Sequence, residues 1–160
     1  MTPEDLRRET RHAAANLLMA LSGTLDLLAA RAAEGTPEAA RLARARGAAD
    51  GLSALLAAYL AIPAEPRAEE HDAAALLARL LPLLDAVGNR RVAWRLDAAP
   101  DMPRVRLDRP GFDLALLGAA REAALSAERG ATLALLLEPE TGGARLAIGA
   151  LSLRLPAAQP

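Results

Sequence analysis

Proton chemistry near neutral pH needs a group that titrates there, and this 160-residue chain holds two imidazoles, His12 and His71. It has no cysteine, which excludes thiol nucleophiles, disulfides and Cys-based zinc sites. His12 lies in the stretch RHAAANLLMALSGTLDLL, residues 11–28. At helical spacing Arg8 stands one turn before it and Asn16 one turn after it, on the same face. An accessible imidazole in that setting can act as a nucleophile or carry a proton. With no cysteine or second histidine beside it, His12 is a poor metal ligand. Spacing and composition alone leave the inert surface histidine as the commoner reading of such a residue. His71 sits in EEHD, just before a helix. Neighbouring carboxylates in a linker rarely converge on one ion, so His71 is expected to be solvated, with Asp72 capping the helix that follows.

The elements that carry these groups can be read from caps and periodicity. TPED at residues 2–5 is a helix start: Thr2 as N-cap, Pro3 at the first helical position, Glu4 and Asp5 at the positive end of the dipole. Leu17, Leu21, Leu25 and Leu28 step by four and three and predict one stripe on a helix that runs to about Ala33, where Gly35 stops it. TPE at 36–38 starts a second helix by the same chemistry, running to about Ala61 with Leu52, Leu55, Leu56, Tyr59 and Leu60 on its apolar side. The short link predicts an antiparallel hairpin. Two helices about 40 Å long cannot bury such stripes against each other alone, so a second copy and a dimeric four-helix bundle are expected.

Residues 62–72, IPAEPRAEEHD, read as a linker. Beyond it come a helix over 72–88 capped by Asp72, closed by Gly88 and blemished by Pro82, then an alternating strand over 91–98 holding Trp94 as a core anchor. A short extended piece (102–108), a helix (109–127) and strands over 131–139 and 144–155 joined at ETGG follow. The expected fold is α+β: a hairpin domain over 1–62, a linker over 63–71, and a small α/β layer over 72–160. Asp108, Asp113 and Glu122 are expected as caps or solvated positions.

The chain is 52% hydrophobic and 2% aromatic, so leucine, alanine, valine and isoleucine must build the core. Net charge is −1 with the signs interspersed, and no basic block or aromatic platform exists, which argues against nucleic-acid binding. The charged N-terminus shows no signal segment, and no apolar run of membrane-span length is counted, so a soluble cytoplasmic protein without a membrane partner is expected.

HAAANLLMALSGTLDLL resembles the phosphoacceptor box of sensor histidine kinases, which reads H-D-F-N-N-L-L-x-x-I-x-G-x-L-E-L-L; His12, Asn16, Leu17, Leu18, Gly23, Leu25, Asp26, Leu27 and Leu28 match it. RVAWRLDAAPDMPRVRLDRPGFDLALLGAAREAA, residues 91–124, is similar to the start of the ATP-binding domain of those kinases. The resemblance covers most of the chain, in the right order. The departures are informative. The acidic residue that follows the histidine in the family, and that takes its proton, is Ala13 here. The family's asparagine that holds magnesium matches Glu122, and an earlier asparagine matches Gly118. The adenine-reading aspartate falls near Ala150, with Ser152 near the first glycine of that motif, and no second glycine-rich segment follows. The resemblance therefore implies no ATP binding, no autokinase activity and no bound cofactor.

What remains resembles the kinase-derived histidine phosphotransferases, which pass phosphoryl groups to and from response-regulator receivers, with the magnesium ion on the receiver. On that resemblance His12 is the phosphoacceptor and Asn16 a positioning group open to a phosphatase-like role. Arg8 and Arg11 would hold the anion, and Leu18 and Met19, with Leu17, would form part of the receiver-docking surface. The alternative is an inactive pseudokinase that binds a receiver or a kinase without phosphoryl chemistry, which Ala13 favours. A third reading is a structural dimer in which the resemblance is ancestry alone.

Overall fold

The structure, a computed structural model, describes residues 3–89 and 91–158. The chain is mixed α+β and divides into two compact units, Met1–Ala61 and Ile62–Pro160.

The first unit is a pair of helices, α1 (Pro3–Ala29) and α2 (Pro37–Leu60). The expected cap Thr2 lies outside the described residues. Between the helices the chain turns through Gly35, whose φ of 76° is comfortable only without a side chain. Thr36 then caps α2: its hydroxyl oxygen accepts a hydrogen bond from the Ala39 amide at 3.2 Å, ahead of Pro37 and Glu38. The helices run antiparallel. Arg46 of α2 pairs with Asp26 of α1 and with Asp50 on its own helix, while the Arg11 guanidinium donates to the Leu60 carbonyl at 3.1 Å. Arg7, Ala14, Leu18, Ser22 and Leu25 are half-buried on one side of α1, and their steps of seven, four and three mark the seam.

The stripe expected on α1 is divided by this geometry. Leu25 turns to the seam, whereas Leu17, Leu21 and Leu28 stay exposed together with Leu6. Residues 6, 17 and 28 are eleven apart, three helical turns, so they share one side of α1 and cannot all face one partner helix that also takes Leu18 and Leu25. On α2, Leu52 and Tyr59 are left exposed in the same way. One correction concerns α1 itself. The stretch Asp5–Ala29 is long and apolar enough, by length and composition, to cross a bilayer, although almost none of it is buried. The reading of the sequence counted no such run because charges cluster in the first turns, yet residues 13–25 carry none.

The second unit holds β1 (Arg67–Asp72), α3 (Ala73–Val87), β2 (Ala93–Ala98), β3 (Arg104–Arg109), α4 (Gly111–Ser126), β4 (Thr132–Glu140), β5 (Gly143–Ile148) and β6 (Leu151–Pro156). Strands β1 and β3 form an antiparallel ribbon; the larger sheet has the order β2-β4-β5-β6, with β2 and β4 parallel and the rest antiparallel. Leu76, Leu77, Leu80 and Leu84 of α3 and Leu116, Ala120 and Ala124 of α4 pack with Leu135, Leu137, Leu146 and Ile148 of the sheet into one aliphatic core. The opposite sheet face is solvated and carries the ion pairs Arg95–Asp97 and Arg145–Glu138. The ribbon is hydrogen-bonded to the chain just past β6, where Val105 bridges Ala157 and the Ala158 amide donates to the Arg104 carbonyl at 2.9 Å.

Two elements differ from expectation. Residues 67–72 of the expected linker form β1, because their alternation pairs with β3 along its full length. The expected strand over 144–155 is broken by Gly149, at φ 57°, into β5 and β6. Pro82 is held inside α3 without ending it. The carbonyl it leaves unpaired, that of Ala78 four residues back, belongs to an exposed residue where water can replace the lost bond.

Candidate functional site

The face of α1 that carries His12 is set by the helix alone. Positions 8, 12, 16 and 19 share one side, and all four residues are exposed. That side is neither the seam with α2 nor the side bearing Leu6, Leu17 and Leu28. Neither the His12 imidazole nor the Asn16 amide makes a side-chain hydrogen bond or ion pair with another described residue. Both therefore present their full donor and acceptor capacity to solvent. Arg8 is engaged one turn back by Asp5 at 2.9 Å. Arg11 is tied to the Leu60 carbonyl, so it braces the helix pair as well as flanking His12. Met19 is 71% exposed on the His12 side, whereas Leu18 is half-buried at the seam. The hairpin thus brings Arg8, His12, Asn16 and Met19 onto one surface and places Arg11 and Leu18 closer to α2.

In the second unit, Glu122, Ser126, Ile148, Gly149, Ala150 and Leu151 border an open cleft of about 340 Å³ between α4 and the β5–β6 turn. Its lining holds one carboxylate, no cation and otherwise small or apolar groups. The Ser126 hydroxyl is turned to its own helix, donating to the Glu122 carbonyl at 3.0 Å. Gly118 and Glu122 are both exposed on α4. Such a lining repels phosphates electrostatically and offers no side chain of opposite charge to hold them.

Asp113 and His71 depart from their expected solvated positions. Asp113 is fully buried, receiving a hydrogen bond from Arg109 Nε at 2.8 Å while its Oδ1 atom has no partner. His71 is half-buried on β1, and its Nε2 atom is buried without a partner. Burial pushes the imidazole pKa below its ordinary value, and the Arg109 guanidinium pushes it further the same way. Trp94 is half-buried in the core as expected, with its indole nitrogen also unpartnered. No cluster of three or more acidic residues and histidines is positioned to hold a metal among the described residues. The pairing of Arg109 with Asp113 was visible in the sequence only as a four-residue spacing interrupted by Pro110, which resembles any surface pair.

No known protein family and no curated protein matches the chain. Among solved structures it is similar to the histidine kinase ShkA, seen full-length in complex with AMPPNP, at a TM-score of 0.42 and 20% sequence identity. The match covers 92% of this chain and 33% of ShkA, so the chain spans about a third of that protein's length.

Proposed function

We propose that this protein is a histidine phosphotransferase, exchanging a phosphoryl group between His12 and the phosphorylated aspartate of a response-regulator receiver. The observation that carries the reading is the placement of His12: an exposed, unengaged imidazole on a side of α1 that neither the seam nor the outer leucines occupy. The likeness of residues 12–28 to a phosphoacceptor box supports it. In the transfer, a ring nitrogen of neutral His12 attacks phosphorus. A P–N bond forms, the P–O bond to the aspartate breaks, the carboxylate leaves and the imidazole proton passes to solvent. An acyl phosphate is a reactive donor, and the receiver supplies its magnesium ion, so the histidine protein must offer only a nucleophile and a docking surface. Asn16 positions the phosphoryl oxygens or a water, and Met19 and Arg8 extend the contact. Leu18, half-buried at the seam, and Leu17, on the outer side of α1, lie off this contact.

The leucines left outside the seam support a homodimer. Covering Leu6, Leu17, Leu21 and Leu28 of one copy with those of another leaves the His12 side open. The cleft beside Glu122 supports a protein that uses no ATP. A second reading, a binding module without chemistry, is favoured by Ala13, which gives His12 no neighbouring base.

Phosphotransfer profiling separates them. Receivers are phosphorylated, mixed with this protein, and the label is followed with time. Acid-labile label appearing on the wild type and absent from His12→Ala establishes the transferase. Receiver binding with no movement of label, identical in His12→Ala, establishes the binding module and overturns the proposal. Receiver label lost without labelling of this protein, and retained with Asn16→Ala, assigns the phosphatase-like role.

A further inference from the structure

Beside the isolated bridge between Val105 of β3 and Ala157, just past the end of β6, lies a cavity of about 630 Å³ that is open to solvent. Its floor is aliphatic: Leu107 and Leu155 are buried there. Phe112, the chain's one phenylalanine, forms a wall from the first turn of α4 and is only half-buried. Three charged side chains complete the lining, Arg106, Asp108 and Arg154. This is the composition of a small-molecule site: a concave apolar surface of several hundred Å³ with a few polar groups at its edge.

The two guanidiniums are engaged to different degrees. Arg106 stands opposite Glu70 in the β1–β3 register, yet Glu70 turns to Arg104 instead, through both its carboxylate at 3.8 Å and its carbonyl at 3.3 Å. The Arg106 guanidinium makes no hydrogen bond or ion pair to another described residue. Arg154 is steadied by the Thr141 carbonyl at 2.9 Å, with Glu140 at 3.8 Å, which fixes its direction and leaves most of its five donors open. Against these two cations the lining sets one carboxylate, Asp108.

The geometry points to a binding site for a small amphipathic monoanion, an aryl or alkyl carboxylate whose apolar body rests on Phe112, Leu107 and Leu155 and whose carboxylate meets Arg106 and Arg154. Arginine suits this partner because its planar fork matches a carboxylate in shape as well as charge. The inference rests on the second unit alone and is independent of the chemistry proposed for His12.

The test uses the full chain and amide NMR shifts with 3-phenylpropionate, its cationic counterpart 3-phenylpropylamine, and inorganic phosphate. Saturable shifts at Leu107, Ala115 and Leu153 with phenylpropionate are expected, with the amine and phosphate at least tenfold weaker. The double variant Arg106→Gln, Arg154→Gln should weaken phenylpropionate at least tenfold while distant amides keep their positions; both side chains are exposed, so the fold does not depend on them. Shifts that are absent, that are equal for acid and amine, that phosphate reproduces, or that survive in the double variant overturn the site.

Discussion

A carboxylate with no exposed surface is tolerable only while its counter-charge is in place, and Asp113 has Arg109 as that counter-charge. Asp113→Ala removes the buried carboxylate to which Arg109 Nε donates and should lower unfolding free energy by ~3 kcal/mol, read by urea titration. The joint change Arg109→Met, Asp113→Leu should cost far less, because it removes both charges together. His71 gives a pH signature. Groups from every neighbouring strand and helix act on it: Arg109 and Arg79 oppose its protonation, while Glu69 and Asp113 favour it, and burial with Arg109 prevails. Its folded pKa thus lies below the unfolded value of about 6.5. Below that value the unfolded chain binds the proton more readily, so stability is full above about pH 6.5 and declines as pH falls towards the lowered folded pKa. His71→Asn should flatten this part of the curve between about pH 6.5 and the carboxylate range, measured as denaturant midpoint against pH. These residues were not legible in the sequence. Asp113 sits in a polar-looking segment next to Pro110 and Gly111, and its burial follows from how β3 and α4 fold together, not from local pattern. His12 was legible as a surface residue, since its side of α1 is set by helical period alone.

Helix starts are the elements that the sequence announces most clearly, because a cap is a local hydrogen bond. Thr36 and Asp72 both cap as their spacing indicates, the latter accepting from the Ala75 amide at 3.0 Å. Thr36→Ala should cost about 1 kcal/mol in thermal or urea unfolding of the hairpin, with Thr36→Ser close to wild type. Strand breaks are less visible. The run over 144–155 reads as one alternating strand, and only the positive φ of Gly149 turns β5 back onto β6. The expected turn at ETGG does occur, and Gly143 at its end has a demanding role. Its φ is 155°, and an added Cβ would collide with the Leu155 carbonyl oxygen. Gly143→Ala should therefore destabilise the second unit by about 3 kcal/mol, seen as a lowered Tm. Strand β1 escaped the sequence reading because prolines at 63 and 66 and a run of charges resemble a linker, whereas its outward charges are those of an edge ribbon.

At the scale of the molecule, the two units hold their apolar surface differently. The second unit buries an aliphatic core with almost no aromatic residue, as the composition requires. The hairpin buries Ala49, Ala58 and Leu60 among its described residues and leaves Leu6, Leu17, Leu28 and Leu52 outside. The proposed dimer would cover these exposed leucines. The proposed dimer makes a direct forecast for light scattering: wild type at twice the chain mass, and Leu17→Glu with Leu28→Glu shifted to monomer at the same concentration. Wild type already monomeric at high micromolar concentration would remove the dimer from the proposal.

Strand β4 is hydrogen-bonded on both edges, parallel to β2 and antiparallel to β5, and it carries the fully buried Leu135 and Leu137. Amide hydrogen exchange reads this arrangement as a clock. Each β4 amide is bonded to one neighbour and lies in the centre of the sheet over the buried core, so Leu135 and Leu137 should be among the last to exchange, near the rate of global opening. The outer strands β2 and β6 should exchange earlier. Any ligand or partner that stabilises the second unit should lengthen the β4 lifetimes first, making those two amides a reporter of binding elsewhere in the unit.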